Sequence, residues 1–367
     1  MLKVTGYAAS GSLMHGLKPM EFERAPPMAG EVQIDILFCG VCHSDVHQVK
    51  NEWSNTVYPC VPGHEVVGRV VAVGASVSKH KVGDVVGVGC MIDSCGRCEA
   101  CTKGEENYCG GPNGFLATYN GPMVPKAKAP THENIYGRDN TFGGYSSSIV
   151  VAEKFVLPIP AGLDPAAAAP ILCAGATTYA PLKRAGIKAG DVVGVIGFGG
   201  LGHMAVQLAN AMGASVTVFT TTTGKADEAL ALGAARVVKQ DSKDAMEKLK
   251  NSFDFILSTV PEKHDINPFI TLLKRDKQIV VCGALEPLEP INNMELAMHR
   301  KSVAGTLIGS LKETTEVLEF CAKHGLAPKI ELLQIQDIND AYKKVESGEV
   351  RFRYVIDMAS LRKDMAR

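Results

Sequence analysis

Neither sign of charge is in excess in this sequence: 38 Lys and Arg face 39 Asp and Glu, for a formal net charge of -1. There is no basic tail and no block of like charges, so the electrostatic footprint of a nucleic-acid binder is missing. Long apolar runs are missing too. No stretch approaches the roughly 20 apolar residues of a membrane helix, and Met1-Leu2-Lys3-Val4-Thr5 does not open a basic segment followed by an apolar one. Internal repeats and low-complexity tracts are also lacking. The expectation is a soluble cytoplasmic protein with no nucleic-acid or membrane partner.

Cysteine, by contrast, is plentiful. The count of 11 is odd, and with no leader segment it argues against a disulfide framework. Cys95, Cys98, Cys101 and Cys109 crowd into one short stretch while the others are scattered. That distribution points to metal.

At 367 residues with a hydrophobic fraction of 46%, the chain is long enough for two domains. The first third is rich in Gly and β-branched residues: Val32–Ile36 alternates like a half-buried strand, and Val66 to Val73 reads as a longer one. The span from Gly110 to Gly144 has little periodicity and reads as a surface excursion, near an active-site mouth. From Asp191 onward apolar strands (Val192–Ile196, Val216–Phe219, Arg236–Val238, Phe253–Ser258, Gln278–Cys282) alternate with helices starting near Leu201, Lys225, Asp241 and Asn267. That alternation predicts an α/β fold with a parallel sheet covered on both faces. A helix over Glu313–Lys323 and a last strand over Phe352–Ile356 complete the chain.

The strand Val192–Ile196 runs into Gly197-Phe198-Gly199-Gly200-Leu201-Gly202, and an Ala- and Leu-containing helix follows. Alone, a GxGxxG is weak. Between a buried strand and a helix it is a dinucleotide fingerprint, whose glycines let the backbone turn tightly and approach a pyrophosphate. The rival is a glycine-rich turn in an unrelated α/β protein. After the second strand, NAD-preferring sites place a carboxylate for the ribose hydroxyls. Here stand Thr220, Thr221, Thr222, Thr223, Gly224 and Lys225, with no acid. Hydroxyls and a lysine suit the 2′-phosphate of NADP(H), although threonines also cap helices.

The four clustered cysteines could close a tetrahedral, structural zinc site. Their first three share the spacing of a ferredoxin run, but Cys109 comes late and is followed by Gly110 rather than proline. A nucleic-acid zinc ribbon is the other rival, opposed by Glu99, Glu105 and Glu106. A second constellation is Cys42 (Gly40-Val41-Cys42-His43-Ser44-Asp45-Val46-His47), His64-Glu65 and Cys173. Two thiolates and an imidazole with a fourth place open are a catalytic zinc arrangement. Each residue alone also has a plain structural reading, Cys173 as packing and Asp45 as a helix cap.

The motif Gly63-His64-Glu65-x2-Gly68-x5-Gly74-x2-Val77, together with the cysteine cluster, resembles the zinc-containing medium-chain dehydrogenases. Gly40–Asp45, Gly143-Gly144-Tyr145 and the Thr-rich turn are similar to the cinnamyl-alcohol-dehydrogenase branch, which includes broad-range aldehyde reductases. The resemblance runs to Asp357. It implies a GroES-like β-rich catalytic domain over residues 1–160, completed by 301–367, and a Rossmann NADP-binding domain over 161–300. It implies two zinc ions per chain and a homodimer.

Residue by residue, it implies catalytic zinc on Cys42, His64 and Cys173, with Glu65 able to enter the shell and Asp45 orienting His64. Ser44 would hydrogen-bond the substrate oxygen and His47 would pass its proton toward solvent. Around the cofactor it places His43, Thr177, Gly197, Gly199, Gly200, Leu201, Gly202, Thr220, Thr221, Thr222, Lys225, Thr259, Gly283, Thr306, Ile308 and Arg353. Trp53 and Met91 would line the substrate pocket. The implied reaction is zinc-dependent hydride transfer between NADP(H) and an aldehyde/primary alcohol pair, aromatic aldehydes included. The alternatives are an NAD-dependent secondary alcohol or polyol dehydrogenase and a non-catalytic nucleotide-binding member of the fold.

Overall fold

The computed structural model describes residues 1–12, 16–124, 134–222, 224–283 and 287–364. Thr223 and part of the Gly110–Gly144 stretch lie outside the described residues. The chain divides into two compact units, one of Met1–Cys173 with Gly309–Arg367 and one of Ala174–Ile308.

In the second unit six strands form one sheet in the order Ala234–Lys239, Ser215–Thr220, Val192–Ile196, Phe253–Ser258, Leu273–Val281, Ser302–Gly305. Every pairing is parallel. Val193, Val195, Ile196, Phe253, Phe255 and Ile256 are at most 1% exposed, as strands covered on both faces must be. The expected strand at Gln278–Cys282 begins earlier, at Leu273, because charged Lys274–Lys277 masks its first half. The edge strand Ser302–Gly305 was not expected at all. It is half exposed and has no apolar alternation to announce it.

The first unit carries a seven-stranded sheet running Ile330–Gln334, Arg353–Asp357, Glu31–Val41, Val66–Val73, Val85–Val88, Leu157–Pro158, with Ser148–Ala152 also on Glu31–Val41. Along Glu31–Val41, Val32, Ile34 and Ile36 point inward in alternation. The helix Pro165–Pro170 starts with Asp164 Oδ2 accepting the Ala167 N–H at 3.1 Å and a proline in its first turn. The helix packs on four strands of this sheet, Glu31–Val41, Val66–Val73, Val85–Val88 and Arg353–Asp357, and its alanines are buried. That packing carries the first unit to Cys173, beyond the expected limit at residue 160.

A π turn, Ile171–Gly175, follows that helix, and a further helix runs from Ala176 to Arg184. An inserted turn of this kind re-aims a side chain within a helical run. Here it carries Cys173.

Candidate metal centre and dinucleotide turn

Cys42 directly follows the strand Glu31–Val41 and immediately precedes the helix His43–Val49. Asp45, in the first turn of that helix, is fully buried. Its Oδ2 accepts the Cys42 N–H at 2.9 Å, and its Oδ1 accepts the Gly63 N–H at 3.1 Å. The same Oδ1 lies 3.0 Å from His64 Nδ1, and the Tyr145 hydroxyl lies 3.5 Å from Oδ2. With a carboxylate as its partner, Nδ1 carries the proton, which leaves the Nε2 lone pair free. Nε2 is 3.2 Å from Cys173 Sγ, and Cys42 Sγ is 4.0 Å from the same sulfur.

One atom each from Cys42, His64, Glu65 and Cys173 therefore converges within 4.8 Å, and all four residues are buried. The Cys42 thiol is held well below the ordinary thiol range, first by the hydrogen bond from Cys173, with the Arg353 and His64 charges adding to it against burial.

Two glycines make room for this geometry. A Cβ on Gly40 would sit 1.9 Å from Glu65 Oε2. Gly63 has a φ of +100°, where side chains are disfavoured, and a Cβ there would fall 2.6 Å from the Tyr145 ring. Glu65 is gripped by the Arg353 guanidinium through Oε1, while its buried Oε2 has no partner. Burial pushes the Glu65 carboxyl up to about 7, with Arg353 pulling the other way. Two sulfurs, an imidazole nitrogen and a carboxylate oxygen within 4.8 Å of one another, with one Glu65 oxygen left without a partner, form a donor set that fits zinc.

Around this centre Ser44 Oγ is 3.7 Å from Cys42 Sγ. The His43 and His47 rings lie 4.9 Å apart, and Trp53 stacks beside His47 at 5.5 Å. Met91 is buried at the start of the strand Met91–Asp93.

Three neighbours were not expected. The Tyr119 ring lies 5.6 Å from that of His64, the Glu52 carboxylate contacts His47 Nδ1, and Cys90 is near enough to hydrogen-bond with Cys173. Tyr119 belongs to the Gly110–Gly144 stretch, which is therefore not a surface excursion throughout. Thr118, Tyr119 and Thr141 are buried, and Asn120 Oδ1 accepts the Val57 N–H at 2.7 Å. No periodic pattern in that stretch could have pointed to Tyr119. Glu52 stands five residues past His47, which matches no helical spacing.

Cys95, Cys98, Cys101 and Cys109 form the second convergent group, again within 4.8 Å. Backbone N–H groups are aimed at the sulfurs: Cys98 N at Cys95 Sγ (3.4 Å), Cys101 N and Gly110 N at Cys98 Sγ (3.5 and 3.2 Å), Cys95 N at Cys109 Sγ (3.4 Å). The donors at Cys98 favour its thiolate, the form a metal needs, whereas burial outweighs them at Cys109 and pushes that thiol up to about 12. None of the 11 cysteines is in a disulfide.

In the second unit Gly197 has a φ of +87°, and its N–H donates to Phe219 O at 2.9 Å. Gly199 has open space where a Cβ would stand, and a Cβ on Gly202 would be 2.2 Å from Gly197 O. The helix Gly202–Ala211 begins at this turn, and Leu201 O accepts the Ala205 N–H at 3.0 Å. An uncluttered turn at a helix N-terminus fits a pyrophosphate. Gly200 lies half-buried in the same turn, and Thr259 and Gly283 pack beside it.

The strand Ser215–Thr220 ends with the Thr220 hydroxyl donating to Thr222 O at 2.8 Å, with Thr221 and Thr222 exposed and Lys225 half-buried beyond. Thr177 is buried in the helix Ala176–Arg184. The Thr306 N–H donates to Val281 O at 3.2 Å while its hydroxyl is buried without a partner. Ile308 adopts a φ of +42°.

Comparison with known proteins finds the alcohol dehydrogenase GroES-like domain at residues 28–161 and the zinc-binding dehydrogenase domain at residues 200–323. Aldehyde reductase YahK of Escherichia coli is 49% identical, covering 94% of this chain and 95% of its own. A cinnamyl alcohol dehydrogenase of Sorghum bicolor superposes with a TM-score of 0.90 at 41% identity, covering 98% of each chain. The CAD of Helicobacter pylori, solved in complex with NADP(H), gives 0.87 at 38% identity, covering 98% of this chain and 99% of its own.

The Cys101 and Gly110 N–H groups hold the Cys98 thiol down at about 6, the Cys101 bond contributing most. In chelator-treated protein, alkylation of Cys98 by iodoacetamide, followed by peptide mapping, should therefore rise through a midpoint near pH 6. A midpoint near the ordinary thiol value of 9.0 would contradict this account of the loop.

Proposed function

The chain belongs to the zinc-containing medium-chain alcohol dehydrogenases, in their cinnamyl-alcohol-dehydrogenase branch, and from that membership we propose an NADP(H)-dependent enzyme that interconverts aldehydes and primary alcohols. The observation that carries this reading is the convergence of Cys42, His64 and Cys173 around one point, with His64 fixed by Asp45. We assign zinc to that centre and a second, structural zinc to Cys95, Cys98, Cys101 and Cys109. With both groups bound, the catalytic zinc supplies a Lewis acid for the substrate oxygen and NADPH supplies the hydride.

The chain's own residues handle protons and position. Ser44, beside Cys42, is placed to donate its hydroxyl to the substrate oxygen as negative charge develops there. His47, its Nδ1 on the Glu52 carboxylate, is the group suited to carry that proton to solvent. Glu52 holds the imidazole in one orientation. Trp53, stacked on His47, provides an apolar ring for an aromatic or extended aldehyde. Thr220, Thr221, Thr222 and Lys225, with no carboxylate among them, suit a 2′-phosphate. Reduction of aromatic aldehydes is the substrate reading favoured, in keeping with the cinnamyl alcohol dehydrogenases among the relatives.

We also place the enzyme in the cytoplasm, where unbridged thiols are stable, and read it as a homodimer. No helix among the described residues is long and apolar enough to cross a membrane. The edge strand Ser302–Gly305, with Met294 and Met298 exposed at 68% and 69% on the preceding helix, supports pairing with a second copy. Sedimentation at micromolar concentration should give twice the 39.0 kDa chain mass, and a stable monomer would contradict this.

Oxidation of NADPH and NADH, run in parallel with aromatic and aliphatic aldehydes, tests the function. Fast turnover with NADPH and slow turnover with NADH is expected, and Thr220→Asp should weaken NADPH by about tenfold or more through carboxylate–phosphate repulsion. A preference for NADH would move the assignment to an NAD-dependent secondary alcohol or polyol dehydrogenase. No turnover from zinc-loaded protein would favour a non-catalytic binding role.

A further inference from the structure

Ser258 is the last residue of the strand Phe253–Ser258, paired with Ile196 of the strand that delivers the glycine turn. It is fully buried, yet its side chain is not idle: Ser258 Oγ lies 2.8 Å from His264 Nε2. The other ring nitrogen, His264 Nδ1, is 2.8 Å from Glu262 O. A carbonyl only accepts, so Nδ1 carries the proton, and in the neutral ring Nε2 accepts from the Ser258 hydroxyl. His264 thus ties the loop that leaves the strand back onto the strand's own end. Cys282 braces the same point, its N–H 3.0 Å and its Sγ 3.3 Å from Ser258 O.

The tied loop bears directly on the glycine turn. Its first residue, Thr259, sends both its N–H and its hydroxyl to Ile196 O at 2.9 Å. The Thr259 hydroxyl stands 3.1 Å from where a Cβ on Gly197 would be, and 3.2 Å from one on Gly202. On the far side, a Cβ on Gly283 would fall 2.5 Å from Val260 O. Thr259 and Val260 therefore lie close against both the phosphate-binding turn and the end of the next strand. This is the carboxyl end of a parallel sheet, where ligands of such folds sit.

We propose that His264, through Ser258, is a positioning residue for the dinucleotide: it fixes the Thr259–Val260 segment against Gly197, Gly202 and Gly283, so that the turn is already shaped before the cofactor arrives. This rests on the NADP(H) reading above. Preorganisation of that kind acts on affinity, because a turn that must first be ordered weakens binding by the cost of ordering it.

The test is NADPH affinity, read by quenching of protein fluorescence or by calorimetry on the zinc-loaded enzyme, alongside the thermal midpoint. The panel is wild type, Ser258→Ala, His264→Leu, His264→Gln and the double variant Ser258→Ala/His264→Leu. Ser258→Ala removes a single oxygen, so it carries the test even if His264→Leu folds poorly. Each single variant should raise the NADPH Kd by about three- to tenfold, the worth of one hydrogen bond. The double variant should be no worse than the weaker single, since both remove the same link. His264→Gln, which keeps an acceptor, should recover most of the loss. Lowered thermal midpoints with unchanged Kd, or losses that multiply in the double variant, would overturn the proposal. Wild type that does not bind NADPH would instead overturn the cofactor reading, so the two failures are separable.

Discussion

The buried Asp45 carboxylate is the constraint on which the metal centre depends. Its two oxygens reach the backbone at Cys42, the backbone at Gly63 and the imidazole of His64. Segments that are distant in sequence are thereby tied to one side chain, and two donors of the centre, Cys42 and His64, are fixed relative to each other. A charge with no exposure survives only when it is fully partnered, and these donors partner it. The sequence around it follows from this requirement. Position 63 must be glycine to turn and to admit Tyr145, and position 40 must be glycine to admit Glu65. Cys173 then arrives from the π turn that follows the helix Pro165–Pro170, which packs on the same sheet.

The second unit rests on a different principle: close backbone approach, with side chains kept out. Gly197 and Gly202 meet at 2.2 Å from a would-be Cβ, and Gly199 is left open. The apolar strands beneath give the turn a rigid base, with Ile196, Phe219, Phe253 and Ile256 in one buried cluster. Soft, convergent donors in one unit and a bare anion-ready turn in the other are the two parts a metal-assisted hydride transfer needs.

Much of this was legible in the sequence because the responsible signals are local. Val192–Ile196, Phe253–Ser258 and Val66–Val73 are found where their apolar runs stand. The four-cysteine loop was legible from spacing alone, since its sulfurs come from one short stretch. What was hidden depends on chain contacts that no local pattern encodes. Tyr119 reaches His64 from an irregular stretch, and Glu52 reaches His47 across a helix end. Charged Lys274–Lys277 disguised half of a strand, and the helix expected from Glu313 begins at Leu311 because Ser310 and Glu313 cap it reciprocally. The boundary past residue 160 was likewise set by tertiary packing, of the buried alanines of Pro165–Pro170 on the first sheet.

The most direct test of the account is the metal content and metal affinity of Asp45→Asn beside wild type. Asparagine keeps the shape but gives up the charge, and it turns one acceptor oxygen into a donor nitrogen that His64 and the two backbone N–H groups cannot all tolerate. The account predicts that the four-cysteine site keeps its zinc while the Cys42–His64–Cys173 centre loses about 10–100-fold in affinity. NADPH binding should be retained. Two zinc ions held as tightly as in wild type, with undiminished aldehyde reduction, would contradict it.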